Sequence, residues 1–70
     1  MKMVPLESEA LAAIGYDAAA RTLRLRFEHG GLYDYFDVPP HVYQGLLTDE
    51  HPWTTWGEHI KSSYRYARLQ

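Results

Sequence analysis

Residues 22–40, TLRLRFEHGGLYDYFDVPP, restrict the possible folds more than any other part of the chain. They read as two extended arms that meet at Gly30-Gly31 and end at a double proline. Leu23, Leu25 and Phe27 alternate with Arg24, Arg26 and Glu28, a period of two that places an apolar row on one face and charges on the other. In the second arm Leu32, Asp34, Phe36 and Val38 alternate with Tyr33, Tyr35 and Asp37, so both faces carry apolar mass and the turn decides which is buried. A two-residue turn at Gly30-Gly31, where glycine tolerates positive φ, pairs Leu25 with Phe36, Leu23 with Val38 and Arg24 with Asp37, and leaves Tyr33 and Tyr35 outside with the arginines. A three-residue turn, His29 to Gly31, places Tyr33 and Tyr35 opposite Phe27 and Leu25 inside the core and turns Asp34 and Phe36 outward.

The rest of the chain supplies partners for this hairpin. Residues 1–7 show little pattern and are expected to be poorly ordered. ESEALAAI favours a helix by propensity, but Ala12, Ile14 and Tyr16 fit a period of two, and two strands alone are marginal in water. A strand from Leu11 to Tyr16 is therefore expected, followed by a turn at Asp17 to Arg21 in which the Asp17 side chain bonds nearby backbone. Pro39-Pro40 suit a helix start, and Val42, Tyr43, Leu46 and Leu47 form an apolar stripe, with His41, Gln44, Gly45 and Thr48 opposite. The polar TDEHP linker ends this helix. Thr55 and Glu58 have capping-box spacing for a second helix, and Trp53, Trp56, Ile60 and Tyr64 give it a sheet-facing side. The tail YRYARLQ either extends that helix or forms a short edge strand. The expected architecture is α+β: a three-stranded antiparallel meander followed by two α-helices packed on one face of the sheet.

Seventy residues allow one domain, near the lower limit for a core without disulfide or metal support. Ten aromatic residues, six of them tyrosine, can supply much of its buried area. The lack of cysteine rules out a disulfide framework and cysteine-based zinc sites, and fits a reducing compartment. No apolar run is long enough to cross a bilayer, and MKMVPLESE lacks the apolar core of a signal peptide, so a soluble, cytoplasmic chain is expected. The net charge of −2 argues against a strongly basic nucleic-acid-binding surface. However, Arg21, Arg24 and Arg26 cluster on or beside the first hairpin arm, and Lys61, Arg65 and Arg68 cluster near the C-terminus.

Taken in order, IGYD, LRLRF, GLYDY with its Tyr-x-Tyr, VPPHVYQGLL and HIKSSYRYARL make residues 8–69 resemble the KTSC domain. That family is found at the C-terminus of some lysyl-tRNA synthetases and as free-standing small bacterial proteins. The matching positions are Tyr33 and Tyr35, Val38 and Pro39, and Ile60, Lys61 and Tyr64. One segment departs: His51, Trp53, Thr55-Trp56 and Gly57 stand where the family usually has a Ser-x-Gly turn, an aromatic pair and Asn. The resemblance implies a single small domain over residues 1–70 with no established activity, for which RNA binding has been suggested.

Two surfaces follow as binding candidates. Arg24, Arg26, Tyr33 and Tyr35 on one open sheet face would stack unpaired bases and meet phosphates; the competing reading is tyrosine packing with ordinary surface arginines. Lys61, Arg65 and Arg68 on a helical face would follow a phosphate backbone; the competing reading is a solvated stripe, with Glu58 pairing Lys61. Trp53 and Trp56 are candidates for a protein partner or for self-association, or else anchor the second helix to the sheet. His29, His41, His51 and His59 lack helical metal-ligand spacing, and Ser8, Ser62 and Ser63 have no nucleophile elbow. His51 beside Glu50 is the one catalytic arrangement to inspect. The expectation is a non-catalytic binding module without metal or cofactor, whose partner is RNA or, alternatively, another protein or itself.

Overall fold

A computed structural model describes residues 1–70 as a five-stranded antiparallel sheet with two helices. The strands are β1 (Val4–Pro5), β2 (Leu11–Asp17), β3 (Thr22–Phe27), β4 (Leu32–Tyr35) and β5 (Tyr66–Arg68), and they lie side by side in chain order. Between β4 and β5 come α1 (Pro40–Thr48) and α2 (Pro52–Ser63). The α+β class and the central meander are as expected, while the strand count rises from three to five. Val4 and Pro5, within the segment expected to be poorly ordered, pair with Ile14 and Ala13 on β2. The tail is an edge strand on β4 rather than an extension of the second helix.

The hairpin takes neither of the two registers considered above. Leu25 pairs with Tyr33, Leu23 with Tyr35 and Arg24 with Asp34. The loop is Glu28 to Gly30, closed by the Phe27 amide donating to the Gly31 carbonyl and the Gly30 amide donating to the Phe27 carbonyl. Gly30 and Gly31 have φ of 90° and 98°, which side chains on L-residues rarely tolerate. Relative to the three-residue alternative the pairing has moved by two positions, so the faces are those of that alternative. Polar chemistry explains why the two-residue register loses. It would set Asp34 opposite Phe27 beneath the helices, whereas here Asp34 takes a two-pronged hydrogen bond from Arg24, with Nε to Oδ1 at 2.7 Å and Nη2 to Oδ2 at 2.9 Å. A buried carboxylate without such a partner is strongly disfavoured.

The fully buried core comprises Leu11, Ile14, Leu23, Leu25, Val38, Val42, Leu46 and Ile60. A register shift between Leu11 and Ala13 inserts one residue into β2, and this keeps Leu11 and Ile14 on the same face although they are three apart. Asp17 Oδ1 accepts the Ala19 and Ala20 amides at 3.1 and 3.2 Å, closing the turn into β3 as its sequence suggested. After Tyr35 the chain leaves the ladder earlier than alternation predicted. Asp37 sits at φ 57°, and the Val38 amide donates to Arg21. The second helix also starts earlier than the capping-box reading implied: Pro52 occupies its first turn and no side chain caps it. Proline's fixed φ suits that position, so Thr55 lies inside the helix and its amide donates to the His51 carbonyl.

An aromatic cleft at the sheet edge

β3, β4, α2 and β5 each bring one or two side chains to a single hollow. The register places Tyr33 and Tyr35 on the helix-facing side of β4, and β5 adds Tyr66 opposite Tyr35 and Arg68 opposite Tyr33. The helices cover the centre of the sheet but stop short of this edge. A cleft of about 540 Å³ remains, lined by Phe27, Tyr33, Tyr35, Trp53 and Tyr66, with Lys61 and His29 at its margin. Phe27 meets Tyr33 and Trp53 edge-on, with centroids 5.5 and 5.1 Å apart. The Tyr66 ring lies 5.8 Å from Tyr33 and 5.5 Å from Tyr35. The Arg68 guanidinium sits 5.6 Å from the Tyr33 centroid, a cation–π contact.

The sequence-derived candidates therefore separate. Tyr33, Tyr35, Lys61, Arg68 and Trp53 come together. Arg24 and Arg26 do not share their face: Arg24 is held by Asp34 on the opposite side of the sheet, and Arg26, which pairs with Leu32, projects to that side as well. Tyr35 is buried, only 4% exposed, so the expected open platform of Tyr33, Tyr35, Arg24 and Arg26 does not exist. Lys61, Arg65 and Arg68 do not form a helical stripe because the helix ends at Ser63. Arg65 instead pairs loosely with Asp37 at 3.6 Å, and Glu58 forms no ion pair with Lys61. Trp56 turns away from the cleft toward His41 and His59, with centroids 6.4 and 6.0 Å away.

Tyr66, Phe27 and His29 were absent from the candidates. The available signal was the Tyr66-x-Arg68 alternation, which places the two side chains on one face once the tail is a strand.

A second hollow, of about 620 Å³, lies between the N-terminal segment and the start of α2 and contains the His51–Glu50 pair. Glu7, Glu9 and Glu50 surround it, so it repels anions, and Ser8 Oγ already accepts the Ala10 and Leu11 amides at 3.2 Å each. Elsewhere His59 lies between Tyr64 and Ser63, its Nε2 3.1 Å from the Tyr64 hydroxyl and its Nδ1 3.3 Å from Ser63 Oγ, on an exposed helix end.

Burial, followed by the neighbouring Tyr33 and Tyr66 phenols, raises the Tyr35 hydroxyl above its ordinary value near 10. A raised pKa means that the folded state favours the neutral phenol. Its stabilising contribution is complete below pH 10 and fades as the pH rises through the folded value. In a titration followed by phenolate absorbance, Tyr35 and Tyr64, which burial also raises, should therefore ionise above pH 10, and Tyr35→Phe should remove part of the absorbance change in that range. If Tyr35→Phe leaves the change above pH 10 unaltered, the buried setting of Tyr35 is wrong.

The family model of the KTSC domain matches residues 7–64. An uncharacterized protein of Stutzerimonas stutzeri (strain A1501) is 39% identical over 70 residues, covering 99% of each chain. A Tsukamurella paurometabola protein is 50% identical over 48 residues, which is 69% of this chain and 72% of that one. A lysine–tRNA ligase of Nostoc punctiforme is 27% identical over 63 residues, spanning 90% of this chain and 11% of the ligase. Among solved structures, that of a KTSC domain protein from Yersinia pestis superposes with a TM-score of 0.91 at 25% identity, covering 99% of this chain and 97% of the other.

Proposed function

We propose, from the premise that this chain belongs to the KTSC domain family, that it is a non-catalytic cytoplasmic module that binds single-stranded RNA through the cleft at the β4–β5 edge. The observation that carries this reading is the aromatic floor of Tyr33, Tyr35, Tyr66 and Trp53 with Lys61 and Arg68 at its rim. Aromatic faces stack unpaired bases, each stack worth about 1–3 kcal/mol, and cations beside them meet the phosphates. The likeness to part of a lysine–tRNA ligase agrees with an RNA partner. A net charge of −2 fits a weak, local contact rather than a long basic track.

The test compares variants on the two sheet faces. Lys61→Gln and Arg68→Gln are expected to weaken binding of a short unstructured RNA in low salt. Arg26→Gln, on the opposite face, should leave it unchanged. Amide shifts on adding RNA should centre on Tyr33, Trp53, Lys61 and Tyr66 and fade as salt rises. Equal losses from Arg26→Gln and Lys61→Gln would disprove this placement of the site.

The free edge of β5 supports a second reading, a protein-interaction or self-associating module. Tyr66 and Leu69 are both exposed there, and the strand pairs only with β4, which leaves backbone groups open to an added strand. Sedimentation over a range of concentrations tests it: a mass that stays at one chain argues against self-association.

A further inference from the structure

Although several rings line the cleft, its stacking capacity is small. Tyr35 is buried. Tyr33 is covered by the Arg68 guanidinium on one side and by the Phe27 edge on another. Trp53 is engaged edge-on with Phe27. Tyr66, at 59% exposure, is the ring that offers most of its surface to an incoming planar group.

The cations are equally few. Arg24 is committed to Asp34, Arg65 faces Asp37, Arg26 is on the far side of the sheet, Arg21 lies in the turn between β2 and β3, and Lys2 precedes β1. Lys61, exposed in the last turn of α2, remains, together with Arg68, whose Nε donates to the Gln70 carbonyl at 2.9 Å. That bond holds the Arg68 side chain beside Tyr33 and leaves its other guanidinium donors for an anion.

We infer that the cleft holds one unpaired nucleotide at a time, its base stacked on Tyr66 and its two flanking phosphates met by Lys61 and Arg68. This rests on the RNA-binding reading above and narrows it from a strand to a single nucleotide. The cleft volume of about 540 Å³ lies within the small-molecule range of about 300–1,000 Å³. No row of exposed rings continues along the sheet, since the next helix-facing positions, Leu23 and Leu25, are fully buried. The site suits a bulged, flipped or terminal nucleotide better than a long single strand.

Titrations of the full chain with adenosine 3′,5′-bisphosphate and with 5′-phosphorylated oligoadenylates of two, four and eight nucleotides, each of which holds at least one base between two phosphates, test this, followed through tryptophan fluorescence at several salt concentrations. After correction for the number of equivalent positions, affinity should change less than about threefold from the bisphosphate to the octamer. The slope of log K against log salt should be about −1.4 at every length, from two phosphate contacts at ~0.7 each. Tyr66→Ser should weaken all of these ligands about tenfold, and Tyr66→Phe, which keeps the ring, should restore them. If Tyr66→Ser fails to fold, the length series and the salt slope still decide. A corrected affinity that climbs more than tenfold with length, or a slope steeper than about −3, overturns the single-nucleotide site but leaves RNA binding standing. If no RNA binds at any length in low salt, both readings fail.

Discussion

Leu25→Ala is expected to lower the unfolding free energy by about 2–5 kcal/mol. Leu25 is fully buried at the middle of β3, between Ile14 on β2 and Tyr33 on β4. Truncation removes apolar burial and leaves a cavity that strands paired on both sides cannot readily close. A domain of this length has a total stability of roughly 4–10 kcal/mol, taking about 0.05–0.15 kcal/mol per residue, so the loss is a large share of the whole. Urea titration should show a lower midpoint with an unchanged slope. Arg26→Ala, exposed on the sheet face away from the helices, should stay within about 0.5 kcal/mol and serves as the contrast. A loss below 1 kcal/mol for Leu25→Ala would mean that the helix-facing side of the sheet has been misassigned, and the cleft would lose its floor.

Leu23 and Leu25 could be placed from sequence because strict alternation admits only one buried face for β3. The first helix could be placed because Pro39-Pro40 and the TDEHP linker punctuate its start and stop; the second was expected from the recurrence of Trp53, Trp56, Ile60 and Tyr64, but its start at Pro52 and its end at Ser63 were not. The hairpin register could not, because adjacent glycines allow several loop lengths at similar local cost. The cross-strand pairing of Arg24 with Asp34, which no local pattern reveals, excludes the two-residue register and fixes which face each residue takes. The three-residue turn would set Asp34 opposite Arg26, so this pairing does not separate it from the observed loop. The site depended on that choice: the same parity that gives Asp34 its guanidinium turns Tyr33 and Tyr35 toward the helices and away from Arg24 and Arg26. The tail was ambiguous for a related reason. Residues 66–68 are too few for a periodicity to declare itself, and they become a strand because β4 offers an open ladder. The short β1 likewise exists only because β2 has a free edge.

Gly45 shows how the polar side of an apparent amphipathic helix can be a packing surface. Alternation of apolar and polar residues put it opposite the Val42–Leu46 stripe, yet the Trp56 indole of α2 lies against it. A β-carbon built at position 45 would come within 2.2 Å of Trp56 Cζ2 and 2.6 Å of Cε2. Both distances are far inside any van der Waals contact, so an added side chain must push the ring or the helix away. Gly45→Val is therefore expected to destabilise by about 3 kcal/mol, the upper part of the usual overpacking range. The few tenths of a kcal/mol that valine gains over glycine in helix propensity is too small to offset this. Gly45→Ala should cost less, because the smaller overlap is opposed by nearly 1 kcal/mol of propensity gain. Intrinsic fluorescence should shift to the red in both variants as Trp56 leaves its place between the helices and meets water. The alternative is that Trp56 simply swings into solvent; then Gly45→Ala would be at least as stable as the parent while showing the same red shift. That result would show that the indole only rests on α1 and would return Trp56 to the residues available to a partner. A loss near 3 kcal/mol for valine would instead make Trp56 the wedge that fixes the spacing of α1 and α2, and with it the position from which α2 presents Trp53 and Lys61 to the cleft.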